Sequence, residues 1–494
     1  MENTDYDIVV IGSGPGGYHS ALRAAQFKAR VAIIEKKAIG GACTHSGCIS
    51  IKCLDVTAKL FEDFRKKAET FGARIEGPIT FDFATAVQRK DRIVAESAAG
   101  IEQLLKLAKV KIFKGHGYIE DGNATDGFII SCLEPSGNKI MIHAKRVIIA
   151  TGSIPMEIPM MSIDHEHVLT SDDVLKRGFD QLPRSMIIIG AGVIGCEFAN
   201  IFARFGVEVT VIELSSTMLR TEEKLISKEL KKKFDLLGIK VHFNQFLYKI
   251  ERLPEEIRII TFQIERPGRD REVQGKKTFT AEICLFSVGR ERQSSNLGLE
   301  KLGVMIKLGR IIVNNDTCET DVKGIYAVGD VSSNMMLAQL AFYESDIAIA
   351  NALASIGTFN AKPRSADYFV IPYSIYTNPI IASVGMRETE AKKLYNVRTG
   401  RFYYKNDGMA RCMGEDEGFM MIVANQENDK ILGASCIGYA APELISEIAV
   451  AMYHNITVKK FVKVIHSHPT FSEMVLETAE DVHGMAIHKI GKRI

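Results

Sequence analysis

Two segments of this chain repeat one strand–glycine turn–helix–strand pattern, and that repetition restricts the fold more than any other feature. The segment "YDIVVIGSGPGGYHSALRAAQFKARVAIIEK" begins as an apolar run and passes through Gly12, Gly14 and Gly17 in G-x-G-x-x-G spacing. It continues with helical character and ends a second apolar run at Glu35. The segment "SMIIIGAGVIGCEFANIFARFGVEVTVIE" does the same with Gly190, Gly192, Gly195 and Glu213. Glycines at those places permit a tight turn and bring a pyrophosphate close to a helix N-terminus, where free N–H groups and the helix dipole favour negative charge. The terminal acid can accept hydrogen bonds from a ribose diol. One such motif is weak support for a nucleotide site. Two, each in its whole βαβ setting, predict an α/β protein with two Rossmann-like nucleotide-binding domains and two nucleotides.

The chain has 494 residues, more than one core normally holds, so two to four domains are expected. Further apolar runs end in glycine: "RVIIATGS" at Gly152, "ICLFSVGR" at Gly289 and "GIYAVGD", which closes on Asp330 and precedes a helical run containing Ala338. They read as strand ends where the chain passes between domains. From about Ala361 the pattern changes to strand-rich segments followed by helices, an α+β C-terminal domain with no phosphate loop.

Composition narrows the partners. A net charge of +2 points to neither nucleic acid nor a membrane surface. The densest basic run, "KELKKKF", lies among Leu225, Ile226, Leu230, Phe234 and Leu237 at helical spacing and reads as the wet face of an amphipathic helix. No apolar run is long enough to span a membrane, and the N-terminus has neither a basic n-region nor a transit-peptide character. Nine cysteines are too few for a secreted disulfide scaffold, so a reducing, cytoplasmic setting is expected.

Three of those cysteines crowd into "IGGACTHSGCISIKCL". Cys43 and Cys48 could be metal ligands, core thiols or a redox pair. No second Cys/His pair follows at zinc-site spacing, so no metal is expected. Gly40, Gly41 and Gly47 suit a constrained loop. The residues after Cys48 read as a helix, which places that thiol at a helix N-terminus, where a thiolate is favoured. Cys53 and the other single cysteines read as structural.

Beyond this point the residues resemble a family, the flavoprotein disulfide reductases. "GGACTHSGCISIK" stands where that family carries G-G-x-C-x-x-x-x-C-x-P-S/T-K, and "ATGS", "VGR", "YAVGD", "IYTNP" and "HSHPTFSE" follow in the family's order, from Tyr6 to about His488. The resemblance implies two Rossmann-like domains, for FAD and NAD, plus an α+β C-terminal dimerisation domain. The implied division is a FAD-binding domain 1–153, an NAD-binding domain 154–283, a central domain 284–356 completing the FAD site, and an interface domain 357–494.

The same resemblance assigns roles. Gly12, Gly14, Gly17 and Glu35 would hold the ADP half of FAD, with Gly152, Gly289, Asp330 and Ala338 completing its site. Gly190, Gly192, Gly195 and Glu213 would hold the nicotinamide nucleotide. An acid at that strand end repels a 2′-phosphate, which favours NAD over NADP, although Arg220 follows at a distance from which an arginine could reach a phosphate. Cys43 would exchange with the substrate sulfur and Cys48 would face the flavin. His468, oriented by Glu473, would be the base and would come from the other subunit of an obligate homodimer. Lys52 and Glu197 resemble the family's pair near the reactive flavin nitrogen, against the plainer reading of a surface salt bridge.

Within the family the ending "AEDVHGMAIH" and the "HSHPT" motif most resemble bacterial members that oxidise protein-bound dihydrolipoamide with NAD⁺, on a 2-oxoacid dehydrogenase complex or a glycine-cleavage carrier. The alternatives are a glutathione-type, NADPH-dependent reductase and a flavin-binding scaffold without catalysis. The chain departs from the family at three positions in the loop. His45 adds an imidazole that could act on the thiols and make the redox potential or pH optimum atypical. Ser50 replaces the usual proline and could cap the helix, and Ile51 replaces a hydroxyl residue.

Overall fold

The computed structural model describes residues 5–158, 161, 163–177, 181–254, 256–266 and 272–489. The first repeat builds a sheet around strand Asp5–Ile11, which pairs in parallel with Val31–Glu35 and with Lys139–Ile149. Lys111–Lys114 extends it beyond Val31–Glu35, and Gly127–Leu133 and His116–Asn123 continue it antiparallel on the other side. The apolar run Ile8–Ile11 is buried throughout because both faces are covered, as parallel sheets require. Ile8 and Val10 pack with Ile347 and Leu353 of helix Ala338–Ile356. Val9 and Ile11 enter the opposite core with Ile130 and Ile142. Strand Ile325–Ala327 returns to this sheet and pairs in parallel with Val147–Ile149, so the chain after the second repeat completes the first unit.

The second repeat forms an all-parallel sheet in the order Lys240–His242, Glu208–Ile212, Ser185–Ile189, Ile283–Phe286, Val168–Thr170. A three-stranded antiparallel meander, Gln245–Arg252, Ile257–Arg266 and Glu272–Ala281, is attached to it. Strand Ile283–Phe286 therefore crosses the boundary expected at 283/284. Its four residues are buried beside Ser185–Ile189, so the apolar run stays whole within the second unit. A short ribbon, Ser153–Pro155 with Arg290–Arg292, links the two units. The C-terminal unit is a five-stranded antiparallel sheet packed against helices Ala441–Tyr453 and Ser472–Asp481.

One helix meets two of these units. Helix Cys48–Lys66 buries Ile51, Leu54 and Ala58 in a core shared with Phe198 and Phe202 of the second unit and Ile375 and Phe419 of the C-terminal unit. Phe61, Phe81 and Phe205 stack beside it with centroids 4.8 and 4.7 Å apart. Each such pair adds about 0.5–1.5 kcal/mol beyond area burial. The helix that begins at Cys48 is thus fixed where domains meet. Among the described residues no helix is long and apolar enough to cross a membrane.

Candidate functional site

The two glycine loops have matching geometry. Gly12 has φ +98°, and a Cβ there would lie 2.4 Å from the Ala150 carbonyl oxygen; Gly190 has φ +102°, with Ser287 O at 2.7 Å from the same imagined atom. A Cβ on Gly17 or Gly195 would lie 1.9 Å from the carbonyl oxygen of Gly12 or Gly190, respectively. Only hydrogen fits at these four positions. The middle glycines differ: nothing lies within 4 Å of a Cβ at Gly192, and only Gly41 Cα, at 4.0 Å, at Gly14. These open positions sit directly before helices Pro15–Gln26 and Val193–Arg204, whose first N–H groups have no helical partner. The cradles fit the pyrophosphates of two dinucleotides.

The terminal acids brace these cradles. Glu35 accepts hydrogen bonds from Ser13 N at 2.8 Å, Ser13 Oγ at 2.6 Å and Lys37 N at 2.7 Å. Glu213 accepts from Ala191 N at 2.6 Å, Ser215 N at 2.7 Å and Ser215 Oγ at 2.5 Å. A carboxylate has about four acceptor positions, so each acid keeps about one for a ribose hydroxyl. At the other end of the first unit, Asp330 accepts from Ser153 Oγ at 2.5 Å, and Arg290 holds that serine through Oγ at 2.8 Å and through its carbonyl at 2.9 Å. Gly152 and Gly289 flank this ribbon, and Ala338 opens the helix that follows. Glu344, buried beneath, accepts from Gly329 N at 2.8 Å and Ser333 Oγ at 2.5 Å and so holds the Asp330 turn; the sequence offered no signal for it.

Cys43 lies in the helical turn Gly41–His45, and Cys48 is the first residue of helix Cys48–Lys66. Gly47 allows the two to meet, since a Cβ there would lie 3.2 Å from Cys43 Cα and 2.9 Å from Ala42 O. Both thiols are free, Cys43 partly buried and Cys48 exposed. The two share a hydrogen bond that raises the Cys43 thiol well above its ordinary value, with burial adding to the effect. The same bond is the largest cause that lowers Cys48, to about 7, and the Lys52 ammonium assists while Glu197 opposes. The bond and the Lys52 charge thus favour the thiolate at Cys48 over Cys43. Tyr18 stands beside both sulfurs; burial first, then the electrostatic influence of Cys43 and Cys48, push its hydroxyl up. Its helical setting gave no hint of this.

Of the departures from the family pattern, His45 is anchored by its Nε2 at 2.8 Å from the Ile39 carbonyl oxygen, and besides burial the largest influences on the cysteines are each other, Lys52 and Glu197. Ser50 does not cap the helix: the N-cap is Gly47, and the Ser50 hydroxyl, three residues in, is buried without a partner. Cys53 is buried as expected, whereas Cys412, expected to be structural, is exposed.

Lys52 Nζ lies 2.9 Å from Glu197 Oε1 and 4.3 Å from the centre of the Tyr376 ring. The Glu197 side chain is only 6% exposed and also accepts from Tyr376 N at 2.8 Å, so this is no surface salt bridge. His468 Nδ1 lies 2.9 Å from Glu473 Oε1. Burial pushes the Glu473 carboxyl up, but hydrogen bonds from His468 and Thr470 N hold it below its ordinary value. Among the described residues, no hydrogen bond or ion pair joins His468 to Cys43 or Cys48 of the same chain. The neighbouring His466 is buried against Glu447 at 2.8 Å.

Residues 6–345 match the family model for pyridine nucleotide-disulphide oxidoreductases, and residues 371–479 match the dimerisation domain of the same family. The chain is 37% identical to a dihydrolipoyl dehydrogenase of Bacillus subtilis over 98% of this chain and 99% of that one. It is 36% identical to a dihydrolipoyl dehydrogenase of Chlorobaculum tepidum over 96% and 97%. Among solved structures, LpdA from Mycobacterium tuberculosis superposes with a TM-score of 0.87 at 25% identity, over 97% of this chain and 99% of that one.

Proposed function

This chain belongs to the pyridine nucleotide-disulphide oxidoreductase family, and from that membership we propose that it oxidises protein-bound dihydrolipoamide to lipoamide with NAD⁺ as acceptor. FAD and NAD are its cofactors, and bound FAD supplies the relay of an electron pair from the cysteines to NAD⁺. The first glycine loop with Glu35, Asp330, Gly152, Gly289 and Ala338 is the proposed FAD site. The second loop with Glu213 is the proposed NAD site.

The observation that carries the reading is the geometry of the cysteine pair: Cys43, in the turn Gly41–His45, shares a hydrogen bond with Cys48 at the start of helix Cys48–Lys66, one helical turn before Lys52. In the oxidised enzyme Cys43 and Cys48 form a disulfide. One sulfur of dihydrolipoamide, as thiolate, attacks Cys43, and the disulfide opens with Cys48 leaving as thiolate. The second substrate sulfur then attacks the first, which closes lipoamide and releases Cys43. The substrate dithiol is oxidised by two electrons and the cysteine pair is reduced; of the two dithiol protons, one ends on the released Cys43 as thiol and the other goes to the base. His468 of the partner subunit takes a proton at Nε2, with Glu473 on Nδ1 to orient the ring and stabilise its cation. A low leaving-thiol pKa speeds the first step, which suits Cys48 as the leaving sulfur.

The proposed assembly is a homodimer, because the exposed His468 has no link to the cysteines of its own chain. The proposed partner is a lipoyl-bearing protein of a 2-oxoacid dehydrogenase complex or a glycine-cleavage system, in the cytoplasm. The test is NAD⁺ reduction with dihydrolipoamide, compared with glutathione under NADPH. Glutathione turnover exceeding dihydrolipoamide turnover would sink the substrate assignment.

A further inference from the structure

Below the lysine–glutamate pair, a buried polar seam runs between two helices. Lys52, Asp55 and Glu62 lie along one side of helix Cys48–Lys66, and Glu197, Asn200 and Arg204 along one side of helix Val193–Arg204. The Arg204 side chain is fully buried. Its Nε donates to Glu62 Oε2 at 2.8 Å, and its Nη1 donates to Asp55 Oδ1 at 2.8 Å and Asn200 Oδ1 at 3.3 Å, while Nη2 has no partner.

Asn378 closes the seam from the C-terminal unit. Its backbone N–H donates to Asn200 Oδ1 at 3.1 Å, its carbonyl accepts from Asn200 Nδ2 at 3.4 Å, and its Nδ2 donates to Glu62 Oε2 at 3.0 Å. Two residues earlier in the chain, Tyr376 N donates to Glu197 Oε1, the same oxygen that receives Lys52. The seam thus has two hydrogen-bonded parts, Lys52 with Glu197 and Tyr376 N, and Arg204 with Asp55, Glu62, Asn200 and through them Asn378, joined by the backbone from Tyr376 to Asn378.

Such a seam is a poor device for stability. Burying an arginine with two acids costs desolvation that their attraction only partly returns, and apolar replacements of such groups are often as stable. What the seam does supply is position: Glu62, Asn200, Arg204 and Asn378 are each held by two or more directional bonds. Resting on the reading of Cys48 as the thiolate of the reaction, we infer that Asn378 is a positioning residue: by fixing the Tyr376 N–H on Glu197 it sets where the Lys52 ammonium stands against the Cys48 sulfur. The unit that carries His468 thereby also governs, within its own chain, the charge partner of the leaving sulfur. The groups acting on Cys48 are Cys43, Lys52 and Glu197, with Tyr18 and Tyr376 beside them; of these, Lys52, Glu197 and the Tyr376 backbone N–H belong to the seam.

The test is peptide-resolved iodoacetamide labelling of Cys48 against pH, on the full-length FAD-loaded enzyme in a Cys43→Ser background. The serine hydroxyl there retains a donor toward Cys48. Asn378→Ala is expected to move the labelling midpoint upward by about half a unit, a roughly threefold slower reaction below the midpoint. Lys52→Met is expected to move it upward too, and Asn378→Ala is expected to add nothing in the Lys52→Met background. An unchanged midpoint in Asn378→Ala, or an equal further shift on top of Lys52→Met, overturns the inference. Should Asn378→Ala fail to fold, Asn200→Ala removes the two bonds to the Asn378 backbone from the other side and carries the same expectations. Dihydrolipoamide turnover with Cys43 intact is measured in parallel. Its absence in the otherwise unsubstituted enzyme would refute the proposed activity, and the labelling midpoints would still decide on the seam.

Discussion

His468 Nδ1 lies 2.9 Å from Glu473 Oε1, yet the histidine side chain is 79% exposed and bonds to neither cysteine of its own chain. The histidine is oriented yet open to solvent, and residues 371–479 match a dimerisation domain, so the surface proposed to cover it is that of a second subunit. Subunit mixing gives the direct check. Cys43→Ser and His468→Gln homodimers each lose turnover by about 10²–10⁴-fold, the usual contribution of a positioned base for the histidine variant. Co-refolded mixed dimers recover one working site, built from the intact cysteines of one chain and the intact histidine of the other. Mixed dimers as inactive as both parents would place the histidine's action within one chain.

The pH profile of Cys48 follows from its charge partners. The thiol is lowered to about 7, by the Cys43 hydrogen bond first and then by Lys52. Thiolate is the reactive form, so labelling of Cys48 rises with pH and reaches half its plateau near pH 7. Lys52→Met removes a positive charge that favours the thiolate, so the midpoint moves upward, toward the ordinary thiol value, and labelling at neutral pH slows. A midpoint that moves downward in Lys52→Met would contradict the electrostatics of the site.

The glycine loops predict a variant that separates the two nucleotides. Gly195→Ala places a methyl group 1.9 Å from the Gly190 carbonyl, in a loop that lies wholly in the second unit. Overpacking of that kind costs about 1–3 kcal/mol. NADH affinity, measured by isothermal titration, is expected to fall by about five- to 150-fold for a loss of that size, while bound FAD, read from its visible absorbance, stays stoichiometric. Loss of FAD with retained NADH binding would reverse the assignment of the two cradles.

What was readable in the sequence is what local sterics dictate. Gly12, Gly17, Gly190 and Gly195 are required by contacts within their own turns, so their spacing declared both nucleotide units. The position of Cys48 at a helix start was equally local. The contacts that tune the site are not. Arg204 meets Asp55 and Glu62 from far along the chain, and Asn378 is farther still, so no spacing rule could pair them. Ser50 was misjudged as a cap because the helix begins two residues earlier, at Cys48, which puts the hydroxyl inside the first turn instead of before it. The anchor of the His45 ring at the Ile39 carbonyl is likewise a contact that the loop's spacing does not announce. The end of the second unit fell within Ile283–Phe286 because a strand boundary carries a weaker signal than the strand itself.

The central claim is that Cys43 and Cys48 exchange with the substrate dithiol. The measurement that bears on it most directly is dihydrolipoamide-dependent NAD⁺ reduction by the FAD-loaded enzyme and by its Cys43→Ser and Cys48→Ser variants, with NADH oxidation by a one-electron dye followed in the same samples. Both variants are predicted to lose dihydrolipoamide turnover to background and to keep dye reduction, which needs no cysteine pair. Dihydrolipoamide turnover retained at the unsubstituted rate in either variant would contradict the account.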